Sequence, residues 1–300
     1  MTPAPGLRVG GPTVVAIGGG HGLAASLRAA RRYAGELTAV VSVADDGGSS
    51  GRLRAAAPVP PPGDLRKCLV ALAADRTPLV AALEHRFSGG DVAGHAVGNL
   101  LLAAFDEVLG DPVAALEEMG SLVAAVGRVL PAANEAVTLV GERSDGVQVR
   151  GQVAVMAAEG IESVRIEPAH PTVSPEVDKA ILAADQVLLG PGSLYTSVLA
   201  AVAVPDIRTA LEVTSAPRVY VANLHPQDPE TSGYDLRDHL AALRRHGLTP
   251  DVVLYDPATM PLGSPGEVGR DTRVVAAPLA NGTGLAHDDA LLGAALEALI

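Results

Sequence analysis

The 300-residue chain has no tryptophan, two phenylalanines and five tyrosines, so aromatic side chains make up only 2% of it. Its core must be built from Val, Leu, Ala and Ile, which suits parallel strands buried between helices. A single cysteine, Cys68, excludes an intrachain disulfide framework and a cysteine-built zinc site. Positive charge is also scarce. Lys and Arg number 22 against 34 Asp and Glu, and the net charge of −12 argues against a broad nucleic-acid footprint. A few arginines in a cleft can still hold one anionic ligand. No apolar run reaches membrane-spanning length, and Met1–Pro12 lacks the apolar stretch of a secretion signal. The expected compartment is the cytoplasm, with no membrane insertion. At 48% hydrophobic and 19% charged, the chain is globular rather than disordered.

Glycine punctuates what is present. The run Thr13–Ile17 enters Gly18-Gly19-Gly20-His21-Gly22, and a helix is expected over Leu23–Tyr33. A second strand, Leu37–Val43, ends at Ala44-Asp45-Asp46-Gly47-Gly48-Ser49-Ser50-Gly51. Helical patterns follow at Leu65–Ala73, Pro78–Phe87, His95–Leu109 and Pro112–Ala125. In mid-chain the period changes: Ala136–Gly141 and Gln148–Val155 flank Ser144-Asp145-Gly146 as a β-hairpin, and a strand is expected at Ile161–Ile166. Strands at Gln186–Leu189, Arg218–Ala222, Asp251–Tyr255 and Thr272–Ala276 then alternate with amphipathic helices, the last being Asp288–Leu299. This order predicts a Rossmann-like three-layer α/β/α fold with a mainly parallel sheet and an antiparallel hairpin insert. The expected organisation is a flexible N-terminus over 1–12 and one nucleotide-binding domain over 13–300. Such folds bind ligands at the carboxyl ends of their strands.

Several constellations should meet at that edge. Gly18, Gly19, Gly20, His21 and Gly22 join a strand to a helix, where glycine lets a phosphate approach backbone N–H groups; a bare tight turn is the alternative. The pattern is neither a G-x-G-x-x-G motif, since Leu23 holds the last glycine position, nor a P-loop, since it lacks Lys-Ser/Thr. Asp45 can bond a ribose hydroxyl, or can take a hard cation such as Mg²⁺ alone or with Asp64. Asp46 suits a turn cap equally well. Asp64, in Pro60-Pro61-Pro62-Gly63-Asp64-Leu65-Arg66-Lys67, is also a good N-cap for a helix starting at Leu65. Arg52 and Arg66 bring positive charge near the turns for phosphate pairing, while Arg54 and Lys67 read as solvated surface. His95 and Asn99 lie one turn apart on one helix face, and Asn134 precedes a strand; each is either a ligand contact or a structural polar group. Gly190, Gly192 and Ser193 repeat the strand-turn-helix pattern, giving a second anion cradle with Ser193 as the cap. Asn223, after the Arg218–Ala222 strand, is placed for a base or sugar. No nucleophile stands beside a base in the pattern, Ser193 reading as a cap and Cys68 as a small core residue.

The stretches Val15–Leu23, Val43–Arg54, Pro60–Arg66, Gly94–Ala103, Val129–Asn134, Gly190–Ala200 and Glu230–Leu240 resemble the YvcK, or gluconeogenesis factor, family. That family is grouped with the 2-phospho-L-lactate transferases, which make a deazaflavin cofactor. The resemblance implies a cytoplasmic bacterial protein required for growth on gluconeogenic carbon sources, cell shape and peptidoglycan synthesis, acting through a bound UDP-sugar with no established catalytic activity. It implies that Gly18–Gly20 and Gly22 form the nucleotide turn, with His21 where Thr is usual, and that Gly190–Ser193 form the second turn. It also implies that Asp45 and Asp64 match the positions that hold a divalent cation in the transferase relatives. The family's C-terminal Tyr and Arg are unmatched: no Tyr follows Tyr255, and Leu292 stands where the Arg would fall. The expected function is a nucleotide-sugar-binding regulatory protein, homodimeric and with a regulatory protein partner. The alternatives are a metal-dependent, nucleotide-dependent transferase of the 2-phospho-L-lactate type and an NAD-type dinucleotide-binding protein. The lack of an evident acid/base pair tells against an oxidoreductase.

Overall fold

Val14, Val15, Ala16 and Ile17 have no solvent exposure, the mark of a strand covered on both faces. They belong to β1 (Thr13–Gly18), central in a seven-stranded sheet. The structure is a computed structural model that describes residues 6–56, 59–263 and 272–300. The first half continues through α1 (Gly20–Ala30), β2 (Glu36–Val41), α2 (Gly48–Ala56), α3 (Pro62–Leu72), α4 (Pro78–Glu84), α5 (Val97–Leu109), α6 (Pro112–Leu122) and β3 (Arg128–Pro131). An insert follows, made of β4 (Thr138–Arg143), β5 (Gln148–Arg150), α7 (Gln152–Met156) and β6 (Ile161–Glu167). Next come α8 (Pro175–Leu182), β7 (Gln186–Leu189), a π-helical turn Leu194–Val198 running into α9 (Leu199–Val202), and α10 (Pro205–Val213). The chain closes with β8 (Arg218–Val221), α11 (Leu236–Arg245), β9 (Val252–Tyr255), β10 (Arg273–Ala276) and α12 (Asp289–Glu297).

The main sheet is parallel, in the order β10-β9-β8-β7-β1-β2-β3. From β1 the chain winds outward through β2 and β3, then returns to β7 on the other side of β1 and winds outward again. The reversal falls between β1 and β7, paired through Ile17 and Leu189, so the turns after these strands emerge side by side. This is the topological switch point of an open α/β sheet. One apolar layer contains Leu23, Leu27, Leu69 and Leu72 of α1 and α3; the opposite layer contains Val177, Leu199, Ile207 and Leu240 of α8 to α11. Among the described residues no single helix is long and apolar enough to cross a membrane.

Several expectations need correction. The hairpin forms, but β5 stops at Arg150, because Gly151 (φ +101°) turns the chain into α7. The α7 N–H groups of Gln152 and Val153 donate to Asp46, 3.0 and 2.9 Å away, so Asp46 caps a helix in the insert rather than its own turn. Pairing of β4 with both β5 and β6 makes a three-stranded antiparallel sheet in place of a lone hairpin. The strand β3 was not expected, since Pro131 reads as a breaker; as the edge strand it tolerates the missing N–H. The Gly- and Ser-rich start of α2 likewise reads as loop. Helices α1 and α3 begin earlier than expected, so Asp64 lies inside the first turn of α3 and Pro61 takes the N-cap position. Of the N-terminal segment, residues 1–5 lie outside the described residues; Leu7 packs on the core and the Arg8 N–H donates to the Ala34 carbonyl at 2.7 Å, so that stretch is tied down.

Candidate functional site at the switch point

The turns after β1 and β7 are built against each other. Gly20 has φ +66°, which lets the chain leave β1 and enter α1 at once. Gly22 meets the second turn so closely that a Cβ there would lie 2.2 Å from the Pro191 carbonyl oxygen and 2.7 Å from Gly192 Cα. The Ser26 hydroxyl donates to the Gly190 carbonyl at 2.6 Å, fixing the same junction from inside α1. Asn223, just beyond β8, locks Gly192 from the other side. Its Oδ1 accepts the Gly192 N–H and its Nδ2 donates to the Gly192 carbonyl, each at 2.9 Å. Asn223 therefore shapes the turn.

Each helix start at the junction already carries a carboxylate from this chain. Asp64 Oδ2 accepts the Gly20 N–H at 2.8 Å, and its Oδ1 pairs with Lys67 Nζ at 2.9 Å. At the second turn Glu230, 2% exposed, accepts the N–H groups of Tyr195 and Thr196 at 2.7 and 2.9 Å, with a further bond from Ser193. Burial pushes the Glu230 carboxyl up, and those N–H bonds hold it down in opposition. Ser193 stands at the N-cap position without capping by its own side chain. The second turn, expected to cradle a ligand anion, thus gives these N–H groups to Glu230 and Asn223. A carboxylate at a helix N-terminus is favoured by the helix dipole, as an anionic ligand would be.

On the other flank Asp45 is half-buried, with Oδ1 accepting the Gly47 N–H at 3.0 Å and a further bond from Ser50. Burial raises the Asp45 carboxyl above its usual range, and the nearby charge of Asp64 adds to the rise. Ser49, unnoticed in the sequence, bonds His95 Nδ1 at 2.9 Å and receives Asn99 Nδ2 at 3.1 Å. The Ser49 hydroxyl thus joins Asn99 to His95, whose pKa is held low by burial and then by Arg52 and Arg86. A serine and a histidine that lie far apart in the sequence therefore meet in space, though Ser49 is only 4% exposed. Asn99 Oδ1 and Asn134 Oδ1 are buried with no partner among the described residues. Arg52 turns away to the Ala93 carbonyl at 2.7 Å, and Arg66 is buried beside α4 and α5, its Nη1 3.3 Å from the Leu83 carbonyl.

A cleft of about 330 Å³ opens beside the two turns. His21, Gly22 and Arg28 of α1, Pro191 and Gly192, Asn223 to Gln227, and Leu285 to His287 line it. His21 is held below its usual pKa by partial burial and then by Lys67. His225 and His287 were not singled out in the sequence. His225 Nε2 bonds the Gly284 carbonyl at 2.9 Å, and His287 Nε2 is buried without a partner among the described residues. The tail thus reaches the cleft through its loop, while Leu292 lies fully buried in the core.

No group of three or more His, Cys, Asp or Glu side chains placed to hold a metal occurs among the described residues. Asp45 and Asp64 alone fit a hard cation that keeps waters and shares phosphate oxygens, as Mg²⁺ does. Burial first, and then the charge of Asp64, disfavour the ionised Asp45, and a cation there would favour it.

Comparison with known proteins agrees with this architecture. Residues 14–264 match the family model described as 2-phospho-L-lactate transferase CofD. A relative from Mycobacterium tuberculosis strain H37Rv is 46% identical over 263 residues, covering 83% of this chain and 77% of the relative. The gluconeogenesis factor of Bacillus subtilis strain 168 is 43% identical over 238 residues, covering 78% and 75%. The crystal structure of a UPF0052-family protein from Bacillus halodurans superposes with a TM-score of 0.87 at 34% identity, covering 97% of this chain and 99% of that one.

Proposed function

The chain belongs to the 2-phospho-L-lactate transferase CofD family, and from that premise we propose that it binds a UDP-sugar at the switch point and acts as a regulatory protein. The observation that carries this reading is the cleft of about 330 Å³ walled by both glycine turns. Its volume falls within the ~300–1,000 Å³ of ordinary small-ligand sites, and its position is where open α/β sheets take nucleotides. In this reading the diphosphate lies toward His21, Gly22 and Arg28, and the base and sugar lie between the 223–227 loop and the tail loop. Asp45 and Asp64 hold a Mg²⁺ ion, which when bound offsets phosphate charge. Lys67 and the Gly20 N–H hold the Asp64 carboxyl between them. The output is control of growth on gluconeogenic carbon, in keeping with the name of the Bacillus subtilis relative, and through it of cell shape and peptidoglycan synthesis.

A second reading, a metal-dependent transferase, is favoured by the coupled pair Asp45 and Asp64 beside Lys67, because phosphoryl-type transfer needs mainly positioning and charge stabilisation. Calorimetry with a UDP-sugar, GDP and NAD⁺ in Mg²⁺, followed by chromatography for nucleotide release, separates the two. Tight binding of the UDP-sugar without release supports the regulatory reading. Sustained release that stops in Asp64→Asn supports the transferase, and preference for NAD⁺ overturns both.

A further inference from the structure

On the far side of His21 and Arg28 from the nucleotide cleft lies a groove between α1 and α3. Its volume is about 200 Å³, and Arg28, Arg31, Arg66, Lys67 and Arg76 all line it against the two acids Asp75 and Glu84. In a chain of net charge −12 that concentration of cations departs from the whole. Three of the five are engaged elsewhere: Arg28 pairs with Asp289, Lys67 with Asp64, and Arg31 donates to the Ala71 and Ala73 carbonyls, each at 2.9 Å. Arg66 is different. It is 5% exposed, its one hydrogen bond is a long one to the Leu83 carbonyl at 3.3 Å, and its Nε is buried without a partner. It makes no ion pair among the described residues. Its stem is wedged against α5, where a Cβ on Gly98 would lie 2.8 Å from Arg66 Cδ, so the guanidinium is held inside. Arg76, exposed at the rim, has no ion-pair partner among the described residues either. Burial and the nearby charge of Arg86 work against the Arg66 guanidinium more than Glu84 and Asp64 support it, and an anion in the groove offsets that cost.

We propose that the α1–α3 groove is a binding site for a small phosphate dianion, either inorganic phosphate or a phosphate monoester, with Arg66 as its inner ligand and Lys67 and Arg76 at its rim. The guanidinium fork matches phosphate oxygens in geometry and charge. The groove is smaller than the ~300 Å³ lower bound of drug-sized sites, which selects a small anion over a whole nucleotide. Because His21 and Arg28 border both cavities, an occupant of the groove changes the field in the nucleotide cleft. The site stands independently of the UDP-sugar reading.

The test is calorimetry of the full chain with inorganic phosphate and, separately, glycerol 3-phosphate, with chloride added to constant ionic strength. Saturable one-site binding is expected; the tighter of the two titrants identifies free phosphate or the ester as the ligand type. Arg66→Gln should weaken binding about tenfold or more, and Arg76→Glu several-fold, as loss of charge-assisted bonds requires. His225→Ala, in the other cleft, should leave phosphate affinity unchanged. Absence of saturable binding overturns the proposal, as does binding lost in His225→Ala and retained in Arg66→Gln. If Arg66→Gln fails to fold, Arg76→Glu decides, and unchanged affinity in that surface variant overturns the proposal.

Discussion

Substituting Gly22 by alanine adds one methyl group at the junction that builds the cleft. That carbon would stand 2.2 Å from the Pro191 carbonyl oxygen, 2.6 Å from its carbon and 2.7 Å from Gly192 Cα. All three are backbone atoms, which cannot rotate away as a side chain would, and Asn223 and Ser26 fix the Gly190–Gly192 segment from both sides. Overpacking of a close-packed contact costs about 1–3 kcal/mol, and a backbone-on-backbone clash belongs at the upper end. A loss of about 2–3 kcal/mol corresponds to a fall in melting temperature of roughly 3–5 °C for a chain of 300 residues. Gly20→Ala is the control. Its Cβ has 4.0 Å to the nearest neighbour, Asp64 Oδ2, so only the left-handed backbone is penalised, at ~1–2 kcal/mol. Calorimetric melting and UDP-sugar titration of both variants provide the assay. Gly22→Ala should lose more stability than Gly20→Ala and should lose ligand binding by separating the turns. Stability within about 0.5 kcal/mol of the parent, the range of ordinary surface substitutions, would show that the two turns are not in contact.

Acid should destabilise the fold through His246. Its Nδ1 lies 2.7 Å from the Ala242 carbonyl and its Nε2 accepts the Val164 N–H at 2.9 Å, so only the neutral ring satisfies both, and burial holds its pKa below 6.5. The unfolded chain takes the proton first, so its contribution is intact above about pH 6.5 and is lost as pH falls through the folded value, with a slope of up to ~1.4 kcal/mol per pH unit. Urea melts at pH 7 and pH 5 should show a smaller loss in His246→Asn, and an unchanged slope would sink the assignment. Glu230→Gln should cost about 2–3 kcal/mol, because it weakens charge-assisted bonds to Tyr195 and Thr196; denaturant unfolding measures this, and a neutral result would mean the cap is unimportant. Asp64→Asn should lower the Asp45 pKa, read from its ¹³C carboxyl shift, since one of the charges raising it is gone. In the parent, chelation should weaken UDP-sugar binding; the same loss in Asp45→Asn would remove that residue from the cation site.

Much of the sheet was legible because its strands are short Val- and Leu-rich runs with glycine at their ends. β7 matches its expected span of Gln186–Leu189, and β1, β2, β8, β9 and β10 differ only at their ends. The two glycine turns and their place on one sheet edge followed from the strand-turn-helix order; that β1 and β7 are neighbours did not. Residues acting from distant segments were hidden. Glu230 lies in a polar loop, and nothing in its local pattern shows that it reaches Tyr195 and Thr196, 34 to 35 residues away. Ser49 lay in a run that read as a turn, and its partner His95 is 46 residues further on. Lys67 reads as solvated surface, since nothing in its local pattern shows that its ammonium meets Asp64. His225 and His287 could have been flagged only as polar residues near strand ends or in the tail. The wrong end for β5 came from taking Val153 and Val155 as β-formers, where tertiary capping by Asp46 sets a helix.

Nucleotide binding at the switch point is tested most directly by a crystal structure of the full chain grown with a UDP-sugar and Mg²⁺. Density for the diphosphate beside His21 and Gly22, with the base and sugar between the 223–227 loop and His287, is the expected result. A nucleotide bound away from both glycine turns, or an empty cleft at a concentration that saturates binding in solution, would contradict it.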